Sequence, residues 1–430
     1  MLRNFVLLVL LLAPVQQARA TGDLFATTTT YEVVGGTAWI DIIAPYSSTL
    51  DAYQIHSDAV VRDYGERWVF IVNRLFADNI LVLDRNNGYG VVTQYSVSGT
   101  GLNPRDIHVE PAGGPGSGPG RAFIPLYESN SLLVCDALSG ANASTIDLSV
   151  FADADGLCEM DRVLEGPPSP SHPDGLLFVS IQNQDRSGST WVPTDAARLA
   201  VIDIATESLV DADPLSPGIN GIDLQFKNPT WRLEFAFVNG AWRILVNCTG
   251  LYGVQDGGIE IINPSTLQSE GVYFSEEQLG GDILDFALLG TDVGWAIRSN
   301  TSFQTELVQF NPLTGTVTQV ALTSTGFDLS DLEISYDARL FVSDRNAANP
   351  GVRIYDPGTG ALLAGPLNTG LPPFDITLLD EIPTSAPAPR LSQRLSASPN
   401  PFNPRVEIRL ERGTGHELEI VDLRGRLVAN

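Results

Sequence analysis

Seven times along the chain a short strand opens with an acidic residue followed by apolar positions. The instances are Asp58-Ala59-Val60-Val61, Asp106-Ile107-His108-Val109, Glu159-Met160-Asp161-Arg162-Val163-Leu164, Asp223-Leu224-Gln225-Phe226, Asp282-Ile283-Leu284, Asp331-Leu332-Glu333-Ile334 and Asp375-Ile376-Thr377-Leu378. Their spacing of roughly 44 to 62 residues is the period of a propeller blade with loop insertions, not of a helical solenoid. Between them recur apolar strands that run into tight turns, such as Ile80-Leu81-Val82-Leu83-Asp84, Ile259-Glu260-Ile261-Ile262-Asn263-Pro264 and Val352-Arg353-Ile354-Tyr355-Asp356-Pro357. There Pro presets φ and a following Gly takes the positive φ of a hairpin. A further apolar run precedes each, for example Trp68-Val69-Phe70-Ile71-Val72 or Leu340-Phe341-Val342-Ser343, so four strands per unit can be drawn. The pattern predicts an all-β chain forming a seven-bladed β-propeller.

The count also predicts how the ring closes. The strand at Asp375 has no partners after it, because a Pro/Ala/Ser-rich linker over residues 381–394 intervenes. Tyr31-Glu32-Val33-Val34, the run over residues 38–43 and the run over residues 50–55 are expected to supply the three missing strands. The propeller would thus span residues 21–380, and closure would leave only short, protected edges.

Residues 1–20 read as a secretory signal: Arg3, an apolar run over residues 5–12, then Ala18-Arg19-Ala20 with cleavage before Thr21. The apolar run is too short to span a bilayer. Three cysteines, Cys135, Cys158 and Cys248, offer no disulfide framework and are expected mostly as buried free thiols. The net charge of −26, with Lys227 the single lysine, disfavours nucleic acid and anionic membranes, which demand a basic footprint.

The same scarcity excludes much chemistry. Lys227, expected at the end of an inner strand, fits no phosphate-binding loop or Ser-x-x-Lys nucleophile. The four histidines, at 56, 108, 172 and 416, have no metalloprotease spacing, and His108 on an inner strand reads as a satisfied core residue. The Gly-rich run over residues 113–120 reads as a surface loop.

Geometry offers more. In a propeller, the loop before each inner strand and the loop joining its second and third strands emerge on one face, and nearly all insertions here fall in those two classes. That face would carry Phe76, Tyr127, Trp191, Tyr252 and Phe303 together with Arg74, Arg186, Arg298 and Arg345. Aromatic and Arg side chains on scaffolded loops suit recognition. The alternative is that each Arg neutralises an inner-strand Asp and each aromatic caps an inter-blade core. The seven inner-strand carboxylates would ring the channel mouth, either holding a cation or accepting hydrogen bonds from nearby backbone. Asp153, Asp155 and Glu159 around a Gly turn supply the hard oxygen ligands that Ca²⁺ prefers, so calcium is the one cofactor indicated; the same residues could instead cap the turn.

Near the C-terminus, Ser398-Pro399-Asn400-Pro401-Phe402-Asn403-Pro404, then Val406-Glu407-Ile408-Arg409-Leu410, then residues 418–428 with Asp422-Leu423-Arg424-Gly425-Arg426-Leu427-Val428, form a Pro-stiffened lead-in and two strands. Residues 395–430 resemble the opening half of the C-terminal sorting domains of the type IX secretion system, which are similar to FlgD-type immunoglobulin-like modules. The ring resembles bacterial YVTN/WD40-like and quinoprotein-like surface propellers through its Asp/Asn-Pro-x-Thr-Gly turns. These resemblances imply passage through the periplasm, the type IX machinery as a partner and an extracellular or cell-surface location.

Two function classes follow. One is a secreted or surface binding module whose elaborated face holds a glycan, a peptide or a surface protein. The other is a cation-dependent propeller hydrolase, lactonase or lyase working from carboxylates at the channel mouth, where a bound divalent ion would generate the nucleophile.

Overall fold

The computed structural model describes residues 21–381, except 98, 100, 114–116 and 170, together with four short strands nearer the C-terminus. Residues 21–381 form seven antiparallel blade sheets in a ring, each with one edge strand on the central channel, and a two-stranded ribbon of Gln184–Asp185 with Val192–Pro193. Blade 1 runs Val60–Tyr64, Trp68–Asn73, Asn79–Asp84 and Gly90–Ser96. The inner strands of blades 2 to 7 are His108–Pro111, Met160–Glu165, Pro229–Val238, Asp282–Leu288, Leu329–Ile334 and Pro373–Glu381.

The central strands are apolar on both faces because each blade is covered on both sides. In Trp68–Asn73, Val69 and Ile71 pack toward blade 7, while Phe70 and Val72 pack toward blade 2. Side chains alternate along a strand, so a continuous apolar run fills two cores at once. Among the described residues there are seven such clusters, one at each blade interface. All three cysteines lie within this interior, buried and free.

Two sequence expectations need correcting. Blade 4 does not open at Asp223: Ile222–Asp223 pairs with Arg198–Asp203 on the outside of blade 3, and the inner strand is Pro229–Val238. A strand can begin at Pro, whose missing N–H is harmless there, and the apolar alternation from Leu233 onward supplies its packed faces. Lys227 accordingly lies in the loop before that strand, paired with Asp195 at 2.5 Å. The closing blade also differs. Its strands beside Pro373–Glu381 are Thr21–Thr29, Val34–Asp41 and Ser48–Leu50, so Tyr31 and Glu32 sit in a loop and the closing strand starts ten residues earlier than expected. The β-branched run Thr27-Thr28-Thr29 favours that pleated conformation.

The signal segment, most of the linker and most of the sorting-domain segment lie outside the described residues. Within the last, Leu395–Ser398 pairs with Glu407–Leu410, and Ile420–Val421 with Leu427–Ala429.

Thr21–Thr29 is bonded on both sides, Ala26 lying opposite Ala38 on one flank and Ile376 on the other. Ala26→Pro removes a ladder donor where no edge can absorb the loss. We expect it to lower the melting temperature sharply, whereas Ala26→Val at the same place should be tolerated far better. A proline variant melting like wild type would show that this strand does not close the ring.

Candidate functional site at the channel and its loop face

The central channel holds a cavity of about 550 Å³ to which all seven inner strands contribute. Its walls carry many charged and polar side chains, several of them where the inner strands bend. In blades 3 to 6 the inner strand shifts register against its neighbour between Met160 and Val163, Pro229 and Leu233, Ile283 and Asp285, and Leu329 and Leu332. Bulges of this kind re-aim side chains, and Arg162, Trp231, Arg232, Asp285 and Asp331 sit at them.

These groups stitch neighbouring blades together. The Val61 N–H donates to Asp375 Oδ2 at 2.6 Å and the Ile376 N–H to Asp331 Oδ2 at 2.6 Å. The Leu332 N–H donates to Asp285 Oδ2 at 2.9 Å and the Val163 N–H to Asp106 Oδ2 at 3.2 Å. Thr230 Oγ1 donates to Asp161 at 2.9 Å. The two remaining interfaces are bridged by Arg62 Nε, 2.7 Å from Asp106 Oδ1, and by Arg232 Nε, 2.6 Å from Asp285 Oδ1. Arg62 also reaches Asp375 at 3.1 Å, and Arg232 reaches Glu333 at 2.9 Å.

The carboxylates therefore have unlike environments. Burial opposes the charge of Asp161, yet Arg105 and Arg162 hold its carboxyl well below the usual range. Burial pushes Asp331 up, reinforced by Asp375 and Asp285. Glu333 is also pushed up by burial, with Arg232 opposing. His108, on the channel wall, has its Nε2 3.1 Å from Glu165 and packs beside Phe123.

Of the acidic figures read from the sequence, Asp106, Asp161, Asp331 and Asp375 take part in this stitching. Asp58 instead accepts from Arg74 at 2.5 Å, and Asp282 accepts from the Gly253 N–H at 2.9 Å. In blade 5 the channel carboxylate is Asp285, three residues further on. Arg62, Arg162, Trp231, Arg232 and Phe374 were missed. A signal existed: an Arg directly adjoins the acidic residue in Arg62-Asp63, Arg105-Asp106 and Asp161-Arg162.

The candidates on the loop face divide by burial. Phe76 is 82% exposed, and Trp191, Tyr252 and Phe303 are also exposed. Arg74 and Tyr127 are buried, so they lie beneath the surface and support it. Burial, then Arg105, brings the Arg74 guanidinium down to about 10. Arg345 and Arg74 approach the Phe374 ring at 5.6 and 5.7 Å, and Arg345 also bonds the Phe327 carbonyl. Arg298 pairs with Glu306 at 2.7 Å and caps the Leu279 carbonyl.

Trp191 is held by a column of stacked groups. The Arg186 guanidinium lies 4.2 Å from its ring and bonds Glu128; Tyr127 stacks on it at 6.2 Å; Arg105 lies 5.0 Å from Tyr127 and pairs with Asp161 at 2.7 Å. The column joins an exposed loop to the buried Asp161 on the inner strand of blade 3.

Asp153 and Asp155 accept the N–H groups of Asp155 and Leu157, both at 3.0 Å, as turn caps, whereas Glu159 is fully buried. Among the described residues no three His, Cys, Asp or Glu side chains come together in a way that could hold a metal ion. Glu159 accepts the Gln184 N–H at 3.2 Å, and Arg186 Nη1 is 3.6 Å from its other oxygen.

No known protein family and no curated protein matches the chain. Among solved structures it is similar to a streptogramin B lyase, at 10% identity over 74% of this chain and 85% of that one, with a TM-score of 0.51. It is also similar to a functionally unknown protein from Desulfotomaculum acetoxidans DSM 771, at 12% identity over 83% of this chain and 98% of that one, with a TM-score of 0.50. At these identities the likeness establishes the seven-bladed fold and nothing finer.

Burial pushes Glu159 up to about 7, with Asp155 and Asp153 adding to the effect. Folded protein thus retains a proton that the unfolded chain releases nearer 4.5, and stability from this group falls as pH rises between those values. The slope is at most about 1.4 kcal/mol per pH unit. Glu159→Gln keeps an acceptor for Gln184 but cannot ionise. Its melting temperature, relative to wild type, should rise from pH 5 to pH 8; a constant difference across that range would refute the assignment.

Proposed function

We propose that this protein is a binding module that engages its ligand through the elaborated loop face. One observation carries the reading. Of the seven exposed aromatic side chains among the described residues, six (Tyr31, Phe76, Trp191, Tyr252, Phe303 and Phe327) lie in loops of that face, and only Phe237 lies elsewhere. Exposed aromatics concentrated on one side of a soluble scaffold are costly to leave in water and mark a contact surface. The stacked column under Trp191 supports the same reading, since a pre-ordered ring loses little freedom on binding.

The sequence supports export. Arg3, the apolar run and Ala18-Arg19-Ala20 have the form of a secretory signal. The C-terminal Pro-Asn-Pro-Phe-Asn-Pro segment supports delivery by a type IX machinery to the cell surface or medium.

Arrays of polysaccharides and of peptides, probed with purified protein, test the binding reading. At least one ligand should be retained, and the Trp191→Ser/Phe303→Ser double variant should bind it about tenfold more weakly or worse. Because both side chains are exposed, the melting temperature should change little. Undiminished binding by the double variant, no retained ligand at all, or chemical turnover of the bound ligand would overturn the proposal.

A further inference from the structure

Two features of the channel are unexplained by its role in holding the blades together. The first is Arg162. It is only 5% exposed and lines the cavity, yet its Nε and Nη1 make no hydrogen bond. The carboxylates that balance its charge stand off, Asp161 at 3.4 Å from Nε and Asp106 at 4.0 Å from Nη1. Asp161 is already engaged by Arg105 and Thr230, and Asp106 by Arg62 and the Val163 N–H. Buried donors left in this state call for an acceptor.

The second is Trp231. Its backbone has φ 66°, a left-handed conformation that bulky residues rarely adopt, and its half-buried ring lines the same cavity. The indole N–H donates to the Tyr252 hydroxyl at 3.2 Å, which ties this ring to the loop face. Strain of this kind is retained where the surroundings hold the side chain in a required place.

The cavity volume of about 550 Å³ suits a small molecule or one unit of a polymer. Its chemistry narrows the class. Arg62 and Arg232 are committed to carboxylates, and carboxylates outnumber guanidiniums on the walls, which disfavours an anion. An amine would have to sit beside three arginines and compete with them for the same carboxylates. A polyhydroxylated ring avoids both costs: its oxygens can accept from Arg162, its hydroxyls can donate to lone pairs that the carboxylates still have, and its C–H face can lie on an indole.

We propose that the channel beside Trp231 and Arg162 binds a single uncharged sugar ring. The cavity continues to the hairpin turns at Tyr64-Gly65-Glu66 and Ile334-Ser335-Tyr336, on the side opposite the aromatic loops, so the site stands apart from the loop-face reading.

Saturation-transfer NMR with D-glucose, D-galactose, D-mannose and N-acetyl-D-glucosamine tests this, with D-glucuronate and spermidine as charged probes. At least one neutral sugar should bind saturably, and Arg162→Gln should weaken it about tenfold or more. Trp231→Gly should weaken it similarly, glycine's tolerance of this φ offsetting part of the packing and the Tyr252 bond that are lost; this variant remains informative if Arg162→Gln folds poorly. Saturable binding of spermidine or glucuronate alone, no saturable neutral sugar, or a Trp231→Gly variant that binds sugar like wild type would overturn the proposal. If array ligands still bind through the aromatic loops while no neutral sugar binds, only the channel site falls. If a neutral sugar binds the channel but the double loop variant keeps its array ligands, only the loop-face reading falls.

Discussion

A carboxylate on one inner strand accepting a main-chain N–H from the next is the interaction on which the ring depends. Four interfaces carry it directly, through Asp375, Asp331, Asp285 and Asp106. A threonine hydroxyl and two arginines complete the circuit. The apolar cores between blades are non-directional and would tolerate sliding of one blade on another. Hydrogen bonds between buried groups do not, because a shifted strand leaves a buried donor and a buried charge unpaired. The cores supply adhesion; the carboxylates set the register.

That division explains which parts of the fold were legible in the sequence. The paired apolar strands are long, continuous and regularly spaced, so blade number and the all-β class could be read from them. The acidic figure was a sound guide wherever the carboxylate performs the stitching, as at Asp106, Asp331 and Asp375. It misled at Asp223, where the acidic residue belongs to an outer strand of blade 3. There Pro229 disguised the true inner strand, and the stitching passes through Thr230, a residue with no acidic signature. Bulges escape a reading based on strict alternation, which is why Asp285 was assigned three residues early and why Trp231 and Arg162 went unnoticed.

The loop face was located by topology alone, since loop class decides on which side of the ring a residue emerges. Its internal order was not accessible in that way. Tyr127 and Arg74 look like surface groups in sequence, yet they lie beneath Trp191 and beside Phe374. Their burial makes the exposed rings firm. The Arg186, Trp191, Tyr127, Arg105 and Asp161 column runs from that face to the inner strand of blade 3.

The carboxylate stitch is tested most directly at Asp375, which joins the last blade to the first by accepting from the Val61 N–H and from Arg62. Urea denaturation of wild type, Asp375→Asn and Asp375→Ala separates the acceptor from the charge. The alanine variant leaves the buried Val61 N–H without its acceptor and removes one of the two carboxylates facing Arg62, and should lose about 2 kcal/mol or more. The asparagine variant keeps one accepting oxygen and should lose distinctly less. An alanine variant within about 1 kcal/mol of wild type, or one equal to asparagine, would contradict the account.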